Sequence, residues 1–145
     1  MALGKIYVMR EDWATAEEAY RYIIKLKPKF IDGHKELCHV YKSAKKWNDM
    51  QRICEDLLNI KYEEAWVYIN FGLSYQKTGY PEKAEEYYEK AVAIEPENEA
   101  YLDYLIDIAI INKNKILAEK VFNTIASLTQ DTSKLQSYRN KLDII

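Results

Sequence analysis

The sequence predicts an all-α fold built from stacked helical hairpins. Its 145 residues include only 4 glycines and 3 prolines, which are too few for the many tight turns of a β-sandwich or β-barrel. Residues of similar size and polarity recur every 34 positions, and each period holds two stretches with the spacing of an amphipathic helix. Because one hairpin cannot bury its apolar face alone, successive hairpins must stack.

The period is visible at small, aromatic and second-helix positions alike. One set of small residues consists of Gly4, Cys38 and Gly72. One set of tyrosines consists of Tyr7, Tyr41 and Tyr75. The second helices repeat Ala16, Met50, Ala84 and Ala118. We therefore predict a single domain over residues 1–145, with a partial repeat at 1–30, complete repeats at 31–64, 65–98 and 99–132, and a terminal helix at 133–145.

The first two repeats keep the period with substitutions. The first begins inside its own first helix, because a complete repeat would start before residue 1. The second carries Cys38 at the small position. Cys38 and Cys54 are too few for a disulfide framework, and their apolar surroundings predict free, buried thiols.

Residues 65–98 form the most regular repeat. The apolar face of its first helix consists of Tyr68, Phe71, Gly72 and Tyr75, and that of its second helix consists of Ala84, Tyr88 and Ala91. Between the two helices, Gly79 permits a left-handed helix end and Pro81 suits the start of the next helix. Pro96 then ends the second helix.

This repeat resembles the tetratricopeptide repeat. That family's pattern of a large residue, leucine-glycine, tyrosine, alanine, an aromatic residue, alanine and proline is met at Tyr68, Phe71-Gly72, Tyr75, Ala84, Tyr88, Ala91 and Pro96. The resemblance extends over nearly the whole chain, to about residue 132. It implies a right-handed α-solenoid, a superhelix whose first helices line a concave groove for a peptide or helix of a partner protein.

The fourth repeat, residues 99–132, is the most divergent, and its first helix is apolar on more than one face. Excess apolar surface indicates a contact, either with the terminal helix, with a second copy of the chain or with another domain. In residues 133–145, Leu135, Tyr138 and Leu142 share one face. This spacing predicts a capping helix that covers the end of the stack and keeps its charges in water.

Charge and hydropathy exclude several classes of function. Lysine and arginine number 21 and aspartate and glutamate 23, so the net charge of −2 offers little attraction to phosphate backbones, and no nucleic-acid partner is expected. The most apolar stretch, residues 104–111, is far shorter than the ~20 residues of a membrane span. The start of the chain does not resemble a signal peptide. We therefore expect a cytoplasmic protein without membrane insertion.

The predicted groove lining consists of first-helix residues that the stack does not use. Their spacing places each set on one helix face. The candidate binding residues are Lys35, His39, Lys42, Trp66, Ile69, Asn70, Leu73, Asp103, Asp107 and Ile110. Lys5 and Val8 continue the row in the first repeat.

Along the predicted array this lining changes from basic through apolar to acidic. Lys35 and Lys42 lie at the basic end, and Asp103 lies at the acidic end. We hypothesise a peptide with an apolar anchor on Trp66 and Ile69, flanked by acidic residues on one side and basic residues on the other. The alternative is that Trp66 and Ile69 pack on a neighbouring helix, as most large apolar residues do.

Some members of the family hold the C-terminal carboxylate of heat-shock chaperones in a clamp of lysine, asparagine and arginine side chains. Lys35 and Asn70 fall in clamp positions. However, His39 stands for an asparagine, Ala100 for a lysine and Tyr104 for an arginine. Because two basic groups are missing from a site that depends on charge-assisted hydrogen bonds, chaperone-tail binding is not expected.

The sequence predicts no catalytic residue, no metal site and no cofactor. A possible zinc set consists of His34, Cys38, His39 and Cys54. His34 and Cys38 occupy stacking positions, which favours core residues over ligands. Asp103 and Asp107 form a carboxylate pair, but the period places no histidine, serine or arginine beside them for acid–base chemistry. No glycine-rich loop precedes a lysine-serine or lysine-threonine pair, so a phosphate cradle is not expected.

The leading function is therefore a non-catalytic protein–protein interaction module, a scaffold or adaptor with an unidentified protein partner. The first alternative is a helical arm that positions a substrate protein within a larger enzyme or assembly complex whose activity lies outside this chain. The second is a self-assembling structural array. The candidate surfaces for self-association are the fourth repeat and the uncapped N-terminal end.

Overall fold

The computed structural model describes residues 12–145, which form eight α-helices and no strand. The helices are α1 (Trp13–Leu26), α2 (Ile31–Ser43), α3 (Trp47–Asn59), α4 (Ala65–Lys77), α5 (Pro81–Ile94), α6 (Glu99–Ile111), α7 (Lys115–Leu128) and α8 (Thr132–Leu142). From residue 31 onward each predicted repeat contains two of these helices, and α8 follows the last repeat.

The chain divides into two compact units. Unit 1, Met1–Glu63, contains α1, α2 and α3 in its described part, and unit 2, Glu64–Ile145, contains α4 to α8. Within each unit, helices that follow one another in the chain pack together. The first helix of the partial repeat is predicted on residues that lie outside those described. The single domain stays a prediction.

The turn inside each described hairpin from α2 onward has one backbone geometry. Lys45, Gly79 and Lys113 are each one period apart and have φ values of 56°, 91° and 57°. In each turn the next backbone N–H bonds to a carbonyl five residues earlier, joining Lys46 to Tyr41 at 2.8 Å, Tyr80 to Tyr75 at 2.9 Å and Asn114 to Ala109 at 2.8 Å. This pattern is the Schellman helix end. The sequence predicts a left-handed residue only at Gly79, because glycine adopts positive φ without steric cost and lysine does not.

A close contact joins the two helices of the third repeat. Gly72 on α4 faces the ring of Tyr88 on α5, and a Cβ atom at Gly72 would lie 2.6 Å from two carbons of that ring. Tyr88 is fully buried, and its hydroxyl donates a hydrogen bond of 2.8 Å to Gln76 Oε1. In the third repeat, this position therefore holds glycine because the neighbouring tyrosine fills the space that a side chain would need.

Cys38 and Cys54 occupy the same two positions in the second repeat, one period earlier. Both thiols are free and buried, which confirms the prediction. The neighbouring Cys38 thiol and burial both raise the pKa of Cys54. Two side chains of intermediate size thus take the place of one glycine and one tyrosine.

Glu17 on α1 is the centre of a polar network in unit 1. Its carboxylate accepts hydrogen bonds from Lys46 Nζ and, at 3.3 Å, from the hydroxyl of Tyr41. Arg21 lies 3.4 Å away on the same helix. Burial acts to raise the pKa of Glu17, but Lys46 and Tyr41 together hold it below its ordinary value of 4.5.

Replacing Glu17 with glutamine is expected to lower the free energy of unfolding by about 1 kcal/mol above pH 4.5. Because the folded-state pKa of Glu17 is depressed, the native chain keeps this stabilisation above pH 4.5 and loses it as the pH falls through the folded-state pKa. Urea denaturation at pH 7 and at several more acidic values measures the effect. The exposed neighbour Glu18 supplies the control, Glu18→Gln. A loss that is equal at every pH would contradict the assignment.

Candidate functional site

Three of the predicted binding residues form a row on α2 of unit 1. Lys35, His39 and Lys42 are exposed, and their spacing of i, i+4, i+7 places them on one face of the helix. Such a row can bind carboxylates through charge-assisted hydrogen bonds. Lys5 and Val8, which the sequence adds to this row, lie outside the described residues.

His34 lies on the buried side of α2 and does not join His39. Its side chain is 3% exposed, and Nδ1 lies 3.0 Å from the carbonyl oxygen of Phe30, to which it donates as Nδ1–H. This hydrogen bond satisfies the ring where it is buried. In the part of the chain that the structure describes, no group of three or more histidine, cysteine, aspartate and glutamate side chains is placed to hold a metal ion.

The four predicted residues on α4 separate into an accessible pair and a buried pair. Trp66 and Asn70 are half-buried, whereas Ile69 and Leu73 are only 5% and 6% exposed. Ile69 belongs to the apolar core of unit 2. For Ile69 the structure therefore gives internal packing, the alternative that the sequence left open, rather than an open groove lining. The spacing that suits a groove also suits a core face, which is why the two are not distinguished by periodicity.

The carboxylates at the acidic end of the predicted lining are paired with the chain's own terminal helix. Asp103 on α6 accepts hydrogen bonds from the hydroxyl of Tyr138 at 2.9 Å and from Lys134 Nζ at 3.0 Å, both on α8. Lys141 Nζ lies 3.7 Å from Asp107. These carboxylates were expected to face a basic flank of a partner peptide. Instead they face the cations of α8, which supplies the same chemistry from within unit 2.

Burial is the main influence on the charges of this cluster. It raises the pKa of Asp107, and the nearby Asp103 adds to the rise, while Lys141 opposes it. Burial also acts to lower the pKa of Lys134, but the hydrogen bond to Asp103 raises it overall. The lysine therefore stays charged at neutral pH and can neutralise the carboxylates that it contacts.

The sequence correctly identifies the apolar face of α8 but misses the role of its charged face. Leu142 is fully buried and Tyr138 is 7% exposed, as the predicted spacing requires. Lys134, which was expected in water, has a side chain only 24% exposed. The sequence does contain a signal for this contact. Asp103 and Asp107 are spaced i, i+4, and their partners on α8, Lys134, Tyr138 and Lys141, recur at a similar interval.

Most of the excess apolar surface of the fourth repeat is buried inside unit 2. The buried residues of α6 are Leu102, Leu105, Ile106, Ile108 and Ala109. They form one core cluster with residues of α5, α7 and α8, including Tyr138 and Leu142. Ile110 is half-buried against that cluster, and Ile111 remains 57% exposed. Cover by the terminal helix is therefore the alternative that the structure supports, and self-association through this repeat stays a prediction.

The two positions at which a chaperone-binding clamp would need further cations carry none. Ala100 is exposed, and the ring centroid of Tyr104 lies 5.4 Å from that of Tyr88.

No helix within residues 12–145 is both long enough and apolar enough to span a bilayer.

The model of the tetratricopeptide repeat family matches residues 67–98. This match falls on α4 and α5, the helices that carry the resemblance in the sequence. None of the curated proteins compared with the chain matches it.

Several solved structures share the fold at low sequence identity. The crystal structure of MamA is 14% identical, with a TM-score of 0.84 over 99% of this chain and 90% of that chain. A tetratricopeptide repeat protein from Parabacteroides merdae ATCC 43184 is 18% identical, with a TM-score of 0.84 over 97% of this chain and 56% of that chain. The first TPR of Spaghetti (RPAP3), bound to the HSP90 peptide SRMEEVD, is 19% identical, with a TM-score of 0.67 over 73% of this chain and 84% of that chain. These likenesses confirm the predicted fold class, an all-α solenoid of the tetratricopeptide repeat type.

Proposed function

We propose that the chain is a non-catalytic protein–protein interaction module, a scaffold or adaptor that binds a segment of a partner protein on its first helices. The match of residues 67–98 to the tetratricopeptide repeat family supports this proposal. A helical hairpin scaffold offers rigid surfaces and short turns, which suits recognition. The peptide-bound TPR of Spaghetti gives a precedent for binding a peptide on this fold.

The observation that carries the proposal is the exposed row on α2. Lys35, His39 and Lys42 point away from a helix whose other face holds the buried residues Leu37 and Tyr41. The chemistry of these three side chains fits acidic side chains of a partner.

A second, apolar contact is proposed on α4 of unit 2. Trp66 is half-buried, so part of its ring is accessible, and Asn70 lies one turn further along the same helix. An aromatic ring beside an amide can hold an apolar side chain and bond a peptide backbone at once. The period places α2 and α4 in equivalent positions of successive repeats, and a continuous lining across both helices stays a prediction.

The partner chemistry is therefore an acidic segment with one large apolar residue. The peptide SRMEEVD of the Spaghetti complex is also acidic. By the family resemblance, Lys35 and Asn70 fall in two positions of the chaperone-binding clamp. Ala100 and Tyr104 supply no charge at two others. We accordingly propose acidic segments in general and not the chaperone tail, whose terminal carboxylate needs those cations.

Charge reversal on α2 tests the proposal. A peptide selected on the native chain from a library of natural acidic segments is expected to bind Lys35→Glu/Lys42→Glu at least tenfold more weakly, which is about 1.4 kcal/mol. Trp66→Ala is expected to weaken binding of the same peptide by a similar factor, because truncating an aromatic anchor commonly has this cost. Isothermal titration calorimetry at two salt concentrations measures both effects, and the lysine contribution should shrink at high salt.

Two matched variants control for charge and for an aromatic ring. Lys27→Glu/Lys29→Glu reverses two exposed lysines elsewhere in unit 1, and Tyr80→Ala removes an exposed aromatic residue of unit 2. Both should bind as the native chain does. If folded Lys35→Glu/Lys42→Glu and folded Trp66→Ala also bind normally, the first helices are not the binding surface and the proposal fails.

A further inference from the structure

An apolar groove opens on the second-helix side of unit 2, and it shares no residue with the proposed first-helix site. It lies between α5 and α7, with α6 as its floor, and encloses about 340 Å³. The residues that matter for its chemistry are Val92, Leu102, Leu105, Leu117, Val121 and Thr124. This volume lies near the lower end of the range of small-molecule sites, which begins at about 300 Å³, and it is large enough for one or two side chains.

At the corresponding positions of its own two helices, the third repeat carries aromatic rings that pack against one another. The rings belong to Tyr68, Phe71, Tyr75 and Tyr87. The ring centroids of Tyr87 and Phe71 are 4.4 Å apart, and those of Tyr87 and Tyr75 are 5.6 Å apart and nearly parallel. Contacts at these distances form a packed aromatic cluster.

The fourth repeat replaces each of these rings with a smaller aliphatic side chain. The equivalent residues, one period later, are Leu102, Leu105, Ala109 and Val121. Leu102, Leu105 and Val121 line the groove. The groove therefore has smaller aliphatic side chains at positions where the third repeat has rings, and this leaves room for a ring supplied from outside.

The fourth repeat also lacks the two lysines that lie over these rings in the third repeat. In the third repeat Lys83 lies 5.4 Å from the ring centre of Tyr75, and Lys90 lies 4.8 Å from that of Tyr87. The counterparts of these two lysines one period later are Leu117 and Thr124, both of which line the groove. An entering ring would thus meet neutral and mostly apolar neighbours.

The repeat fold does not require an apolar lining at these positions. Unit 1 has a groove of about 300 Å³ at the equivalent positions two periods earlier. There, Lys25, Asp49 and Asp56 stand where the groove of unit 2 has Ala93, Leu117 and Thr124. Charges are therefore compatible with this site in the fold, and the apolar set is particular to unit 2.

Two charges of opposite sign flank the groove. Glu89 projects from α5 and Lys120 from α7, and both are exposed. Neither side chain forms an ion pair with any residue of 12–145. A partner segment could therefore be oriented by a basic residue beside Glu89 and an acidic residue beside Lys120.

We propose that the groove between α5 and α7 binds an aromatic side chain of a partner polypeptide, in a segment with a basic residue on one side of the ring and an acidic residue on the other. This site uses the second helices of the third and fourth repeats. It is distinct from the first-helix site proposed above, and a single scaffold would then hold two segments at once.

The test is a titration of the whole chain, with labelled leucine and valine methyl groups, using the peptide acetyl-Lys-Ala-Ala-Phe-Ala-Ala-Glu-amide. NMR shifts are expected at Leu105, Leu117 and Val121, and the matched peptide with alanine in place of phenylalanine should cause none. Val121→Tyr restores the ring of the third repeat, and Leu117→Lys restores its lysine. Each variant is expected to weaken binding of the phenylalanine peptide at least tenfold. If Val121→Tyr does not fold, Leu117→Lys alone provides the test.

Asn123→Tyr is the matched control, because it adds the same ring to an exposed position of α7 outside the groove. Asn123→Tyr should leave binding of the phenylalanine peptide unchanged. Lys35→Glu/Lys42→Glu should also leave it unchanged, because these lysines belong to the first-helix site. A failure of the groove proposal can therefore be distinguished from a failure of the first-helix proposal. The proposal is overturned if the phenylalanine peptide shifts none of the three methyl groups. It is equally overturned if Val121→Tyr and Leu117→Lys both bind as the native chain does.

Discussion

Gly72→Val is expected to lower the free energy of unfolding by about 3 kcal/mol and the melting temperature by roughly 10 °C. The new Cβ atom would lie 2.6 Å from ring carbons of Tyr88 and 3.2 Å from the backbone oxygen of Ala84. Neither neighbour can yield cheaply, because the ring is fully buried and its hydroxyl is bonded to Gln76. Urea and thermal denaturation followed by circular dichroism measure the loss.

Gly33→Ala is the control for adding a side chain to a helical glycine. Its Cβ atom would lie 3.4 Å from Ile24 and Phe30, which is ordinary contact, so stability should change little or rise because alanine favours a helix. If Gly72→Val were tolerated as well as Gly33→Ala, the close approach of α4 and α5 would be wrong.

The second repeat shows how this clash can be relieved. Gly72→Cys/Tyr88→Cys reproduces the pair Cys38 and Cys54, which the fold accommodates one period earlier. The double variant is therefore expected to lose less stability than the sum of its single variants, by at least about 1 kcal/mol. Simple additivity would mean that the two positions do not compensate for each other.

Periodicity predicts which residues share a face, and it is most successful where a close contact restricts the size of the side chains at two facing positions. The glycine at position 72 and the tyrosine at position 88 both stand in predicted slots, and the structure places them in direct contact. The hairpin turn is predicted at Gly79 for the same kind of reason. At Lys45 and Lys113 the identical turn is invisible in the sequence, because tertiary packing imposes positive φ on a residue that does not favour it.

Periodicity does not predict what covers a face. Ile69 and Trp66 were assigned to one lining, yet one belongs to the core and the other stays partly accessible. Asp103 and Asp107 have the spacing of a free acidic surface, but a helix further along the chain supplies their partners. That outcome depends on how α8 returns across α6, which is a long-range property and not a local one.

Tyr138→Ala is expected to release α8 from unit 2, with a loss of about 3 kcal/mol in the stability of that helix. The substitution removes a ring that is 7% exposed and leaves Asp103 without its shortest hydrogen bond. Because the contacts of α8 are with α6 and α7 and not with the hairpin of α4 and α5, the loss should be local and not global. Hydrogen exchange should show faster exchange across Thr132–Leu142, while the amides of α4 and α5 keep their protection.

Tyr138→Phe separates the ring from its hydroxyl. It keeps the apolar contact and loses only the bond to Asp103, so it should cost about 1 kcal/mol, much less than alanine. Asp103→Asn should lower the stability of α8 more than Tyr138→Phe does, because it also removes the charge that Lys134 contacts at 3.0 Å. If Tyr138→Ala left the exchange of α8 unchanged, that helix would not be held by its tyrosine. The carboxylates of α6 would then be open to a partner after all, as their spacing alone suggests.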